Sequence, residues 1–175
     1  GSATVVRSGC MAKDADMILS EFILLGIGGK ELSEENAAQT AKALNIIQPD
    51  FIRVHATGIK LESKLGEFVR DGSFTLQSEE EIVIEQKLFL QQLHEMDSCY
   101  VNEHIVNLLL EVRGNLRTEK QEMLSTIDRF LTLPPDERLL FTVGRRLNIF
   151  FRLDDLKKPK LHQKAGESLQ QILSK

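Results

Sequence analysis

The chain has few of the residues on which several classes of protein depend. Its 175 residues include no tryptophan, one tyrosine, two cysteines and four prolines. Cys10 and Cys99 lie far apart and lack a CxxC spacing, which favours two reduced thiols over a disulfide framework. With so few prolines and no obvious linker, the length predicts one domain, or one domain with an appendage.

Basic charge and long apolar runs are also missing. The net charge of −4 argues against a general nucleic-acid binder, because such proteins usually carry a basic face. No apolar run approaches the roughly 20 residues of a membrane span. The first residues do not read as a secretory signal. We therefore expect a cytoplasmic protein with no nucleic-acid or membrane partner.

The strongest pattern that is present is a strand, a tight turn and a helix in the first third of the chain. Residues 18–27 form an apolar run that ends in a glycine cluster. Ser33 then has the character of a helix N-cap, and a second strand follows at 51–55. This βαβ spacing predicts two parallel, adjacent strands with helix 33–47 packed across them.

Capping signals locate the later elements. Ser78 and Glu81 form a capping box that opens a long helix, and Thr118 with Gln121 is a similar signal for another. Residues 98–101 between them are a candidate third strand. Beyond this strand the pattern predicts helix after helix.

Several polar residues in these elements have two interpretations each. Glu21 is either a cleft residue or a strand-end carboxylate paired with a lysine. Arg53 either points into the interior or forms a buried ion pair with Glu21, whose net contribution to stability would be small. We expect His55 in a cleft or in a hydrogen bond rather than on a metal. The other three histidines show no metal spacing, and Arg145-Arg146 is expected on a helix surface.

The turn Gly26-Ile27-Gly28-Gly29 is the leading candidate for binding a ligand. Glycines allow a close approach of the backbone, and the start of the following helix favours negative charge. The turn matches neither a Walker A loop nor GxGxxG. A plain tight turn and a phosphate-binding turn therefore both remain open.

Taken together, these motifs resemble a family. Their order is similar to the later half of a radical S-adenosylmethionine (radical SAM) enzyme barrel, in the branch with the methylthiotransferases and the oxygen-independent coproporphyrinogen oxidases. The resemblance covers about residues 17–130. The matching segments are 20–29, 45–53, 101–107 and 114–120.

The resemblance implies an α/β fold with a partial (β/α) TIM-like barrel in residues 1–104 and an α-helical portion in residues 105–175. It implies a parent iron–sulfur enzyme that uses S-adenosylmethionine and a 4Fe–4S cluster on an unknown small-molecule or macromolecular substrate. This chain lacks the CxxxCxxC motif and the first barrel strands. We therefore expect a C-terminal fragment that is not catalytic alone, binds no cluster and has no metal ligands. The residues that the resemblance assigns to cofactor contact are Ser20, Glu21, Gly26, Gly28, Gly29, Arg53, Val54 and His55.

Two other functions remain open from the sequence. One is a non-catalytic helical interaction module on a small α/β layer, and the other is a phosphate- or nucleotide-binding protein that uses the Gly26–Gly29 turn. In a partial barrel, Phe22, Leu24 and Ile52 alternate with residues of the opposite face, so one set should lack cover. We expect that face to be hidden by self-association through the exposed sheet edge, or by helices from 136–173.

Overall fold

The computed structural model describes residues 2–60 and 62–174 as an α/β protein with an open, mixed sheet of four strands. Helices make up most of the remainder. The elements in chain order are α1 (Ser2–Asp14), β1 (Ser20–Leu25), α2 (Ser33–Ile47), β2 (Phe51–Ala56), α3 (Lys64–Arg70), α4 (Glu79–Gln92), β3 (Cys99–Val101), β4 (Gly114–Asn115), α5 (Lys120–Leu131), α6 (Pro135–Arg146), a 3₁₀ segment (Leu153–Lys157) and α7 (Pro159–Leu173).

The sheet has the order β1-β2-β3-β4, so strands that follow one another in the chain are neighbours in space. β1, β2 and β3 are parallel, and β4 runs antiparallel to β3. The predicted parallel pairing of the first two strands is confirmed, with Ser20 opposite Phe51 and Leu25 opposite Ala56. α2 connects them and buries its alanine stripe, as the βαβ spacing predicts.

The two faces of the sheet differ in cover. On the covered face, Ile52, Val54 and Tyr100 are fully buried against the helices. The opposite side, which we call the open face, carries Phe22 and Leu24, which are 64% and 46% exposed. Helices 136–173 therefore do not hide these two side chains, and the expected cover from the chain itself is not there. The other side chains of the open face are Ser20, Phe51, Arg53, His55, Cys99 and Val101.

The helical layer begins with α1 packed on α2 and α2 packed on α4, and it continues through α5. Phe130, Phe141 and Phe150 form a chain of ring contacts that joins α5, α6 and the segment after α6. The acidic start of α4 contacts α6: Glu79 pairs with Arg146 and Glu80 with Arg138.

The capping predictions had mixed outcomes. Ser78 and Glu81 form the predicted capping box at the start of α4. Two other N-cap predictions are wrong: Leu32 rather than Ser33 precedes α2, and Glu119 rather than Thr118 precedes α5. Neither Leu32 nor Glu119 makes a side-chain cap.

The region between β3 and α5 also differs from the prediction of continuous helix. Residues 102–119 contain turns and the two-residue strand β4, which pairs Gly114 with Tyr100. In the part of the chain that the structure describes, no helix combines the length and the apolar character needed to cross a bilayer.

Candidate ligand-binding face

The glycine turn after β1 requires glycine for steric reasons. Gly26 has a φ of +81°, a left-handed conformation that side chains with a Cβ rarely adopt. A Cβ on Gly28 would lie 2.9 Å from the carbonyl oxygen of Leu32. The Gly29 N–H donates to the Gly26 carbonyl over 3.2 Å and closes the turn. A tight turn therefore accounts for the glycines without a ligand.

A buried carboxylate of the same chain occupies the donors beside this turn. Glu85, on α4, is fully buried and accepts from the Gly26 N–H, with 3.3 Å to each oxygen. It also accepts from the Ser33 hydroxyl at 3.0 Å and from Asn36 Nδ2 at 2.7 Å. The Ser33 hydroxyl, predicted to cap α2, is thus used by Glu85 instead.

This arrangement has a consequence for anion binding at the turn. The start of α2 and the Gly26 amide are the place where a phosphate would bind. The Glu85 carboxylate already supplies the negative charge there. A phosphate would have to displace the buried Glu85 carboxylate from its three hydrogen-bond donors, so the geometry disfavours the turn as a phosphate site.

Arg53 lies on the open face, between two aromatic rings. Its Nε donates to Ser20 Oγ over 3.0 Å. The guanidinium carbon lies 5.9 Å from the centre of the Phe22 ring and 5.7 Å from that of Phe51, both within cation–π range. Glu21 points to the opposite face, beside α1, so the Arg53–Glu21 ion pair considered from the sequence does not form.

His55 lies two residues further along β2 on the same face, and it contacts two other rings. The ring of His104, from the loop after β3, stacks on it with 4.1 Å between centroids and an angle of 14°. Phe22 meets it edge-on at 5.4 Å. His104 Nδ1 is buried and has no hydrogen-bond partner among the described residues. The structure therefore brings together two histidines that the sequence placed in unrelated elements.

The charge state of His55 follows from these neighbours. Burial lowers its pKa below the ordinary value, and the adjacent His104 and Arg53 lower the pKa further. Each of the three effects disfavours the imidazolium form. His55 is thus held towards the neutral form, in which one ring nitrogen donates and the other accepts.

The end of β2 is completed by a side chain rather than by a strand. β3 pairs with β2 only as far as Arg53. Beyond that point, Asn107 Nδ2 donates to the Val54 carbonyl over 2.7 Å, and the Ala56 N–H donates to Asn107 Oδ1 over 2.7 Å. The buried Asn107 amide thereby takes the place of a neighbouring peptide and satisfies the backbone of β2 where the ladder stops.

Other buried polar groups hold Asn107 in place. Its Nδ2 also donates to Asn102 Oδ1, and Asn102 Nδ2 donates to the Leu109 carbonyl. Arg145, on α6, is 3% exposed and donates to the carbonyls of Asn107, Leu108 and Phe150. The expected surface position of Arg145 is therefore wrong, because this guanidinium is buried and anchors the loop.

The predicted site residues fall into three groups. Ser20, Arg53 and His55 come together on the open face. Gly26, Gly28 and Gly29 lie at the end of β1, tied to α4 through Glu85. Glu21 and Val54 face the opposite side of the sheet, and Val54 is fully buried, so only its backbone meets other groups of the site.

An iron–sulfur cluster does not fit the thiols of this chain. Cys10 and Cys99 are the two cysteines, they are unpaired, and they belong to α1 and β3. Cluster binding by thiolates requires more ligands than two. Within residues 2–60 and 62–174, no three side chains of histidine, cysteine, aspartate or glutamate converge as metal ligands.

Three residues of the site were not assigned a role from the sequence. Glu85, His104 and Asn107 reach the ends of β1 and β2 from other elements. His104 and Asn107 lie in a segment that shares the resemblance, which was the only signal for them. Glu85 is part of an acidic, amphipathic helix, and no local pattern separates it from solvated glutamates.

Protein-family models, curated proteins and solved structures were compared with the chain, and none matches it.

Proposed function

We propose that this chain is the later part of a radical S-adenosylmethionine barrel and that its open face contacts the adenosyl part of the cofactor. The strand order supports the proposal. Parallel strands that are adjacent in chain order, with helices on one face, are the arrangement of a singly wound barrel. A doubly wound sheet would carry helices on both faces.

One observation carries the proposal: Arg53, His55, His104 and Phe22 meet on the uncovered side of the parallel strands. The interior of a barrel is where such a face would lie, and functional groups of α/β folds gather at the carboxyl ends of the strands. His55 is the penultimate residue of β2, and His104 lies three residues after the end of β3. Aromatic and imidazole rings offer stacking surfaces for a planar base.

The proposal assigns separate roles to the predicted residues. Arg53, His55 and Ser20 offer side chains to the ligand, whereas the Gly26–Gly29 turn and Val54 contribute shape through the backbone. S-adenosylmethionine supplies a 5′-deoxyadenosyl radical when a reduced cluster cleaves it. The chain lacks the thiolates for that cluster, so we derive no catalytic step from it.

The test is a titration of the chain with S-adenosylmethionine, followed by two-dimensional NMR of the backbone and the histidine rings. We expect saturable shifts at His55 and Arg53, and weaker binding in R53Q. R117Q is the matched control, because Arg117 is an exposed arginine that pairs with Asp97 elsewhere. Adenosine, which has no carboxylate, should bind at the same residues. An absence of saturable shifts with both ligands would contradict the proposal.

The encoding reading frame gives an independent check. We expect a CxxxCxxC motif upstream of the segment described here. An upstream reading frame without that motif would contradict the proposal that the parent protein is a radical SAM enzyme.

A second candidate function, the interaction module, is supported by the free edge of β1. Among the described residues, β1 pairs with β2 alone. This edge has no lysine or proline to discourage pairing, and it lies beside the exposed Phe22 and Leu24. The partner we propose is a second copy of the chain, paired edge to edge around a twofold axis.

A further inference from the structure

The open face contains a cluster of cationic and imidazole groups without a facing carboxylate. We call Arg53, His55 and His104 the Arg53 cluster. We propose that the Arg53 cluster binds an oxyanion, the carboxylate or phosphate of a small ligand, and that binding is coupled to proton uptake by His55. This inference does not rest on the proposed cofactor, because it concerns any ligand with such a group.

The guanidinium has hydrogen-bond donors to spare. Among the residues that the structure describes, only its Nε has a hydrogen-bond partner, Ser20 Oγ. No carboxylate of the described residues forms an ion pair with Arg53. The rings of Phe22 and Phe51 hold the group from two directions. The two terminal nitrogens form a fork suited to two oxygens of an oxyanion.

The histidine pair adds further donors. His55 and His104 are stacked almost parallel, and His104 Nδ1 is shielded from solvent without a partner in the described chain. An oxyanion can accept from a protonated imidazole as well as from the guanidinium.

The charges around the cluster explain why the site is selective for anions. From β1, the open face receives only Ser20, Phe22 and Leu24, because Glu21 lies on the other side. From β3 it receives the Cys99 thiol and Val101. Glu103, the carboxylate residue next to His104 in the sequence, forms an ion pair with Arg113. The positive charge of the cluster is therefore not neutralised by a facing acid.

Proton coupling follows from the same arrangement. Without a ligand, protonation of His55 is opposed by burial, by His104 and by Arg53. A bound oxyanion adds an attraction that favours the imidazolium form. Ligand binding must then raise the pKa of His55, and by linkage the affinity must increase as the pH falls.

The experiment is a titration with inorganic phosphate, and separately with acetate, observed through the ring resonances of the four histidines. His94 is exposed, and His162 pairs with Glu137, so both serve as internal controls. We expect saturable shifts at His55 and His104 alone. Acetate, which stays ionised over this range, should bind more tightly at pH 6 than at pH 8. Sodium chloride at equal ionic strength should not reproduce these shifts.

Variants then test the role of the guanidinium. We expect R53Q to weaken phosphate binding about tenfold or more, since a hydrogen bond to a charged group is lost. R117Q should bind phosphate with the same affinity as the unsubstituted protein. Unchanged positions of the His94 and His162 resonances in R53Q would indicate that it is folded. Equal affinity in R53Q and R117Q would overturn the proposal.

A second measurement needs no variant. The midpoint of the His55 titration is compared in the unchanged protein with and without saturating phosphate. We expect a higher midpoint with phosphate. An identical midpoint, or equal shifts at all four histidines, would overturn the proposal even if R53Q does not fold.

Discussion

The side chain of Asn107 that continues the β2 ladder offers a direct test of the architecture. In N107A, the Ala56 N–H and the Val54 carbonyl lose their partner inside the protein. Each buried group left without a hydrogen bond costs about 1–3 kcal/mol, so we expect N107A to lower the free energy of unfolding by about 2–6 kcal/mol. That is a large part of the roughly 5–15 kcal/mol typical of a domain.

The chain contains a matched control for this substitution. Asn45 also bridges two backbone groups: its Nδ2 donates to the Gln92 carbonyl over 2.9 Å, and its Oδ1 accepts from the His94 N–H over 2.8 Å. These bonds are exposed, so water can replace the amide in N45A. We expect a loss of only about 0.5–1.5 kcal/mol there. The difference between N107A and N45A isolates the effect of burial.

The assay is urea unfolding, followed by circular dichroism and by the fluorescence of the single tyrosine, Tyr100. N107D is a third variant. It keeps an acceptor for the Ala56 N–H but turns oxygens towards the Val54 carbonyl and Asn102 Oδ1, so we expect it to be at least as destabilised as N107A. If N45A costs as much as N107A, the interpretation of Asn107 as a substitute for a strand is refuted.

Three further predictions concern the open face and the thiols. The lowered pKa of His55 favours its neutral form, so its contribution to stability is present above the unfolded-state pKa of about 6.5 and is lost as the pH falls towards the lower folded-state pKa. The variant H55Q should therefore show a smaller change in unfolding free energy between pH 7 and pH 5. An unaltered pH dependence in H55Q would contradict this. Light scattering should give a molecular mass that rises with protein concentration. F22E should abolish this rise, whereas L173E should not, because Leu173 on α7 is an equally exposed apolar residue away from the open face. A monomer at all concentrations would argue against self-association. Anaerobic reconstitution with iron and sulfide should give no stoichiometric iron–thiolate absorbance, because Cys10 and Cys99 are too few, and full cluster uptake would be incompatible with this reasoning.

The parts of the fold that could be predicted are those encoded by nearby residues. The parallel strands β1 and β2 follow from an apolar run, a turn and a helix of matching length. The Ser78 capping box needs only residues within one helical turn. Such signals are independent of the rest of the chain, which is why they survive folding.

Three of the failures have a common physical cause, because in each of them a distant group decides the outcome. Ser33 has the character of an N-cap, but Glu85, 52 positions away, uses its hydroxyl. The sequence predicts Arg145 on a helix surface, but its guanidinium donates to carbonyls of the loop at 107–108 and is buried there. β4 has two residues and no periodicity to detect, so only its pairing with β3 defines it.

The candidate site was predicted only in part, for the same reason. Alternation along β2 places Arg53 and His55 on one face, so their proximity was predictable. The stacking of His104 on His55 depends on the path of the loop after β3, which no local rule describes. The assignment of Gly26 to a ligand rested on the turn, the start of the following helix and the family resemblance, and it did not include the carboxylate that meets Gly26.

The buried Arg145 has a consequence for how the molecule comes apart. Its guanidinium, on a helix near the end of the chain, holds the loop whose amide completes a strand in the first third. Opening of α6 would release Arg145, free Asn107 and leave the end of β2 unpaired. The early strands and the late helices should therefore lose their hydrogen-exchange protection together, as one cooperative unit rather than in succession along the chain.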